Sequence, residues 1–346
     1  MAKENKGYSS LINLGNTCFM NSTLQALFHS PDLKELIEED NIKEFMKKGI
    51  DTELFEEFCE LYHTMWNNNA KISPNKFVHN MFRIAKSKDK ELFTGWSQND
   101  MPEFLLFLLD AMHTSISRPI TVNISGQVKN STDGIAVKCY ELLKQSYTKE
   151  YSEIMELFYG IYLSEIISMD DSIKHSSKPE QYMTLDLPLP PNTKGKSCSL
   201  YECFDNFTAF ESLTGENAWY NEKTKMKEDV KKRFVFWSFP KTLVIVLKRF
   251  SEDGRKKNKL NVECPLTELD LSKYIHGYSA STYIYELYGV CNHIGEVGGG
   301  HYTVFIKNQM QEWLHYNDDK VSRIDEDNVI SPLSYCLFYC KKNKSL

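Results

Sequence analysis

"NLGNTCFMNSTLQAL", residues 13–27, sets one cysteine between an Asn/Gly-rich turn and an apolar run. Phe19, Leu24, Leu27 and Phe28 recur at helical spacing, which predicts a helix opening near Thr17 or Cys18. A thiol at that edge meets unpaired backbone N–H groups and the positive end of the helix dipole. Both favour the thiolate and lower a thiol pKa from about 8.5. A lone cysteine in an apolar run also fits a buried structural thiol. The remainder of the chain decides between these readings.

The bulk properties narrow the field. The 346 residues carry 41% hydrophobic and 25% charged side chains, a globular profile long enough for a substantial core. Net charge is −6, and the densest basic stretch, "RKKNK" at 255–259, is too short to neutralise several phosphates. It reads as a solvated loop, and nucleic acid is not the expected partner. The N-terminal "MAKENKGYSS" has no apolar signal-peptide core. "TLVIVL" (242–247) is far below the ~18 residues of a membrane helix. Nine scattered cysteines without a CxxC pair are expected to be reduced. A soluble, monomeric protein of the cell interior, cytoplasm or nucleus, with no membrane association follows as the expectation.

Along the chain, helices precede strands. "TELFEEFCELYHTMW" puts Leu54, Phe55, Phe58, Leu61, Tyr62 and Met65 on one face. Ser73-Pro74 reads as an N-cap followed by proline at the first helical position. Asp100 reads as an N-cap with Glu103 three residues on, ahead of an apolar helix. Residues 118–136 are polar and Gly/Ser/Asn-rich, an expected exposed loop. From about 182 onward short β-rich runs take over, from "YMTLDLPLP" to "SYCLFYC". Segregated helices and strands predict α+β.

A base for Cys18 is offered far downstream. His301 follows "GEVGGG" (295–300), whose four glycines permit close backbone approach, and opens the β-run "HYTVFIKN", a good setting for a general base. His293, ahead of the glycines, reads as a loop residue. "EWLHYNDDKV" (312–321) supplies Asn317 and Asp318 at an expected strand end; such a residue orients an imidazole, although "NDD" is also a turn signal.

These stretches together resemble the ubiquitin-specific protease family of papain-like cysteine proteases. "LINLGNTCFMNSTLQALFHS" (11–30) is similar to its cysteine box and "YELYGVCNHIGEVGGGHYTVFIKNQMQEWLHYNDDKV" (285–321) to its histidine box. "GWSQNDMPEFLLFLLDAMH" (95–113), "YSEIMELFYG" (151–160), "YMTLDLPLP" (182–190), "WSFPKTLVIVLKRF" (237–250) and "SYCLFYCKK" are similar to further blocks in the same order. The resemblance implies the papain-like fold of that family in a single catalytic domain over 1–346: a mainly helical thumb over 1–155, fingers over about 156–240 and a palm over about 241–346. It implies a thiol-dependent deubiquitinase acting on ubiquitin or ubiquitinated proteins, without a cofactor. Cys18 takes the place of the nucleophile, His301 of the base and Asn317 of the third triad residue, with Asp318 beside it. Asn13, with the backbone N–H of Cys18, takes that of the oxyanion donor. Asp100, Glu103, Gly299, Gly300 and Tyr302 fall where the substrate's C-terminal tail is held, bordered by the loops 251–258 and 292–300.

The chain also departs from that pattern. Where many members carry two CxxC pairs for zinc, this sequence has Ser168 and Asp171, then Asn221 and Thr224. None is a usual zinc ligand, so no metal is expected, and Cys198 and Cys203 read as loop thiols. Asn99 stands where the family usually has glutamine. Two alternatives stay open from the residues: a protease for another ubiquitin-like modifier, and a catalytically silent ubiquitin-binding module.

Overall fold

The computed structural model describes residues 7–39, 42–67, 69–90, 93, 97–191, 197–251, 256–296 and 299–342. Eight helices are present among them: α1 (Cys18–Phe28), α2 (Pro31–Glu38), α3 (Ile50–Asn67), α4 (Asn75–Ser87), α5 (Met101–Ile116), α6 (Ser131–Glu150), α7 (Glu153–Phe158) and α8 (Leu200–Thr208). Helix α1 is buried on every side, and its polar Asn21, Thr23 and Gln25 find partners in the Leu11, Phe19 and Ser9 carbonyls and in Asp318. It lies against α5 and against strand Gly299–Lys307. The six apolar residues predicted along one face of α3 are all buried.

The main sheet runs in the order Lys320–Arg323, Trp313–Asn317, Gly299–Lys307, Ile284–Glu296, Ser334–Lys341, Thr242–Lys248, Thr184–Pro188. Only the last pair is parallel. Side chains alternate between the faces of a strand, and the alternation separates two cores. Val244 and Val246 join the helical core with α1, α3, α4 and α5, whereas Leu243, Ile245 and Leu247 join a second core with Phe204 of α8. That double burial explains the unbroken apolar run "TLVIVL".

A separate four-stranded sheet, Lys174–Tyr182, Gly160–Ser168, Val230–Ser238 and Glu211–Leu213, forms the fingers. Its base packs on α6 through Ala136, Cys139, Ile161, Leu163 and Trp237. The β-rich part therefore begins at Gly160 rather than near residue 182. Ile161, Leu163, Ile166 and Ile167 are buried, but Lys174–Tyr182 is largely polar and half-exposed, which hid it from a hydrophobicity reading.

Two further local expectations change. Residues 131–136, expected in a loop, form the start of α6, whose N-cap Asn130 accepts the Asp133 N–H at 2.9 Å. Pro74 is itself the N-cap of α4, so the helix starts one residue later than expected. At the two places where the sequence has Ser168 and Asp171, then Asn221 and Thr224, carboxylate-centred turns are found. Asp170 accepts from the Ser168 and Ser172 hydroxyls at 2.6 and 2.7 Å. Glu228 accepts from Asn221 and Thr224 at 2.9 and 2.6 Å. Among the described residues no group of three or more His, Cys, Asp or Glu side chains is placed to hold a metal ion, and no helix is long and apolar enough to cross a membrane. All nine cysteines are free thiols.

Candidate active site

Cys18 is the first residue of α1, after Thr17 at the N-cap. Its side chain is 3% exposed and forms the end of a cleft of about 250 Å³. The backbone N–H of Tyr302, next to His301, reaches the Cys18 sulfur together with the N–H groups of Phe19 and Cys18 itself. The expected lowering of the thiol pKa is not what the free site produces. Burial, helped by the Asp318 charge, outweighs those three N–H groups and pushes the thiol up, because taking a thiolate out of water costs more than they return.

His301 is the third residue of strand Gly299–Lys307, and Asn317 ends the adjoining strand Trp313–Asn317. His301 Nε2 lies 2.7 Å from Asn317 Oδ1. With Nε2–H donating to that oxygen, Nδ1 is left as the acceptor for a proton from the nucleophile. Asp318 Oδ2 is 3.9 Å from the same Nε2. The "NDD" turn is therefore both a turn and part of the site: Asn317 pairs with Lys320 across it, and Asp318 takes a φ of +50°.

Asp318 is gripped from the thumb. Asn13 Nδ2 donates to its Oδ2 at 3.0 Å, and Asn21 Nδ2 to its Oδ1 at 2.8 Å. The Asn13 carbonyl in turn accepts the N–H groups of Gly15 and Thr17 at 2.9 and 3.2 Å. One Asn13 N–H is thus committed to Asp318, and the amide nitrogen has a second to offer an oxyanion. Asn21, one helical turn after Cys18 and 3% exposed, escaped the sequence reading. No local signal set it apart, since the same helix also carries Ser22, Thr23 and Gln25.

One cleft wall is Gln98, Asn99 and Asp100; the other includes Phe250, His293, Glu296, Gly299, Gly300 and Tyr302. Gly300 N–H donates to Gln98 Oε1 at 2.8 Å, joining the walls. Asp100 is the N-cap residue of α5, but its side chain makes no capping bond. Its carboxylate accepts instead from the Tyr302 hydroxyl at 2.7 Å and the Tyr335 hydroxyl at 3.0 Å. Burial and that carboxylate hold both phenols far above their ordinary pKa, so both remain donors. Glu103 stands exposed one turn along α5, outside the cleft lining, with its carboxyl raised by partial burial and by Asp100. Gly299, Gly300 and Tyr302 all line the cleft. A Cβ on Gly300 would fall 2.3 Å from His293 Nε2 and 2.5 Å from the Ile294 carbonyl, so glycine is required there.

His293 is not a loop residue. It lies within strand Ile284–Glu296, pairs with Tyr302 and is 5% exposed. Its pKa is lowered to about 4, by burial first and by Lys257 second, which removes it as a competing base near neutrality. Of the two loops expected to border the tail, residues 252–255 and 297–298 lie outside the described residues, as do 95 and 96 at the start of the "GWSQNDMPEF" block.

A thiol at a helix start, and an imidazole paired with an amide on adjoining strands, drawn from the two ends of the chain, have the arrangement of a papain-like cysteine hydrolase. The family profile "Ubiquitin carboxyl-terminal hydrolase" matches residues 9–339, and the chain belongs to that family. It is 30% identical over 343 residues to the ubiquitin carboxyl-terminal hydrolase Usp2 of Drosophila melanogaster, covering 97% of this chain and 35% of that protein. It is 32% identical over 354 residues to human ubiquitin carboxyl-terminal hydrolase 21, covering 96% and 61%. The chain thus spans about a third to three-fifths of the length of these relatives. A solved structure, the SAGA DUB module of Ubp8, Sgf11, Sus1 and Sgf73 bound to monoubiquitin, shares the fold with a TM-score of 0.74 at 24% identity, over 99% of this chain and 71% of that one. The same module bound to ubiquitin aldehyde gives 0.73.

Proposed function

We propose that this chain is a thiol-dependent deubiquitinase that hydrolyses the peptide or isopeptide bond after the C-terminal glycine of ubiquitin. The observation that carries the reading is the 2.7 Å contact of His301 with Asn317, on a strand whose next residue, Tyr302, turns its N–H to the Cys18 sulfur at the head of α1. The relatives' names, and the ubiquitin in the neighbouring solved complexes, support the choice of substrate.

The chemistry follows from the groups present. His301 Nδ1 takes the Cys18 proton as the sulfur attacks the glycine carbonyl, and Asn317 keeps the ring in the required tautomer. The backbone N–H of Cys18 and the second N–H of Asn13 stabilise the oxyanion. The imidazolium then protonates the departing amine, leaving a thioester. Water attacks that thioester with His301 again as base, releasing the ubiquitin carboxylate and the thiol. Asparagine stabilises the imidazolium less than a carboxylate would, and Asp318 at 3.9 Å supplies the missing charge. The acidic Asp100 on one wall and Glu296 on the other suit a basic tail.

Ubiquitin carrying a C-terminal propargylamide tests the reading. Wild type gains the mass of one ubiquitin and Cys18→Ala gains none. Labelling only by the probe of a different modifier would move the substrate away from ubiquitin. Labelling by no probe would leave a silent binding module as the function.

A further inference from the structure

Within the basic stretch, residues 256–259 are not simply the solvated loop its composition suggests. Lys257 is half-buried, and its ammonium makes three bonds to one strand end: 2.9 Å to His293 Nδ1, 2.6 Å to the His293 carbonyl and 3.1 Å to the Gly295 carbonyl. An ammonium has three protons and no lone pair, so this arrangement uses its whole donor capacity. It also requires His293 to be neutral with Nδ1 as acceptor, which agrees with the lowered pKa of that ring. Two residues on, Lys259 pairs with Glu296 at 2.6 Å.

The strand end so held is the wall of the cleft. The His293 ring packs on Tyr302 at a 46° tilt with centroids 4.8 Å apart and meets Phe250 edge-on at 5.4 Å. Its Nε2 edge lies against Gly300, close enough to exclude any Cβ there. Gly295 turns the hairpin at a φ of +117°, and a Cβ on it would meet Gly299 and Gly300 at 2.8 Å. Gly300 reaches across to Gln98. A continuous set of contacts therefore runs from Lys257 through His293 to Gly300 and on to the wall headed by α5. Buried Arg249 holds the neighbouring chain through the Asn258 and Leu260 carbonyls, but it is Lys257 whose ammonium bonds the His293 and Gly295 carbonyls. Lys259 and Glu296 are both exposed, at 67% and 64% of their side chains, where an ion pair contributes little.

We propose that Lys257 is a positioning residue of the tail channel. By docking segment 256–258 on the His293–Gly295 strand end it holds the channel at the width that admits two glycines before the scissile bond. It touches no reacting atom. Its contribution is to the binding of the tail, so it acts on KM and leaves the chemical step alone. This rests on the deubiquitinase reading above, and the test keeps the two apart.

The experiment compares wild type, Lys257→Met and Lys257→Arg, with ubiquitin bearing a C-terminal fluorogenic amide as substrate and with amide hydrogen exchange of the substrate-free protein. The expected result for Lys257→Met is a KM raised about tenfold with kcat within about twofold. Exchange should be faster in the peptide spanning 288–296 and unchanged in the helical core, with an unshifted thermal midpoint. Lys257→Arg, which keeps the cation and several donors, should recover most of the loss. Unchanged exchange in Lys257→Met would refute the brace whatever the substrate. Faster exchange with an unchanged KM, or a fall in kcat alone, would refute the positioning role. If wild type turns over no ubiquitin substrate, the functional reading fails, and the exchange comparison alone decides whether Lys257 holds the channel wall.

Discussion

Cys18 pays for its burial with a raised pKa, and the consequence is measurable. A thiol held up by desolvation and by Asp318 is protonated in the free enzyme near neutrality, so its thiolate fraction rises with pH through and beyond about 8.5. Alkylation of Cys18 by iodoacetamide should therefore climb across that range without levelling off below pH 7. A plateau on the acid side would mean a preformed ion pair with His301. Around the same atom, Asn13 and Asn21 share the task of holding Asp318. Asn13→Ala removes both an Asp318 partner and an oxyanion donor, and a rate loss of about 10²–10³ is expected. Asn21→Leu strips the 2.8 Å bond from Asp318 Oδ1 and should cost about 1–3 kcal/mol of stability. If Asn21 acts through Asp318, its effect on kcat must shrink in an Asp318→Asn background; fully additive losses would show that it does not.

At the scale of elements, the turns of the fingers are organised around carboxylates. Asp170 and Glu228 each gather hydroxyl or amide donors around a carboxylate. Glu165, 2% exposed in the middle of the finger sheet, is flanked by Lys174 at 2.6 Å and Arg233 at 3.0 Å. The pKa of Asp170 is lowered to about 2, and those of Glu165 and Glu228 are lowered too, because donors and cations offset what burial adds. A carboxylate with a depressed folded-state pKa stabilises the fold above its unfolded value, and that stability is lost as pH falls through the folded value. Protection against amide exchange in peptides 160–182 and 226–238, taken relative to the intrinsic rate at each pH, should therefore fall as the pH drops from about 4.5 towards 2, ahead of protection in α1 and α5. A chelator such as EDTA should leave the thermal midpoint where it was. A chelator-induced drop would mean that metal contributes to the fingers after all.

Over the whole molecule, the palm sheet is the shared wall of two cores, and its strands contribute alternate residues to each. Val244, Cys336 and Phe338 face the helices, whereas Ile245, Leu337 and Tyr339 face the other side. The helical layer and the palm cannot separate without exposing both sets. They should unfold in one cooperative transition, while the fingers, joined to α6 by a small separate cluster, open earlier. Hydrogen exchange near the thermal midpoint would decide this: equal protection in the three regions would show that no such hierarchy exists. The arrangement also positions the site. Cys18 is carried by the helical layer and His301 with Asn317 by the sheet, so the thiol and the imidazole come together only when these two layers pack.

What the sequence determined by itself is the chemistry and its local frame. Cys18 opening a helix, His301 behind glycines, Asn317 at a strand end and the apolar face of α3 were all legible, because each is a short-range pattern of residue type and period. Tertiary structure alone decided the rest. The placement of Asn21 and Asn13 on Asp318 depends on chain separated by about three hundred positions. Asp100 has the spelling of a helix cap, yet two tyrosines from the sheet claim its carboxylate. Cys18 has the position of an acidic thiol, yet burial, which no local pattern encodes, reverses the shift. Lys257 belongs to a run that reads as solvent-facing, and only the approach of a distant strand end gives its three protons their acceptors. Propensity and periodicity act over one or two turns of chain, whereas desolvation and hydrogen-bond choice are settled by whatever the fold brings alongside.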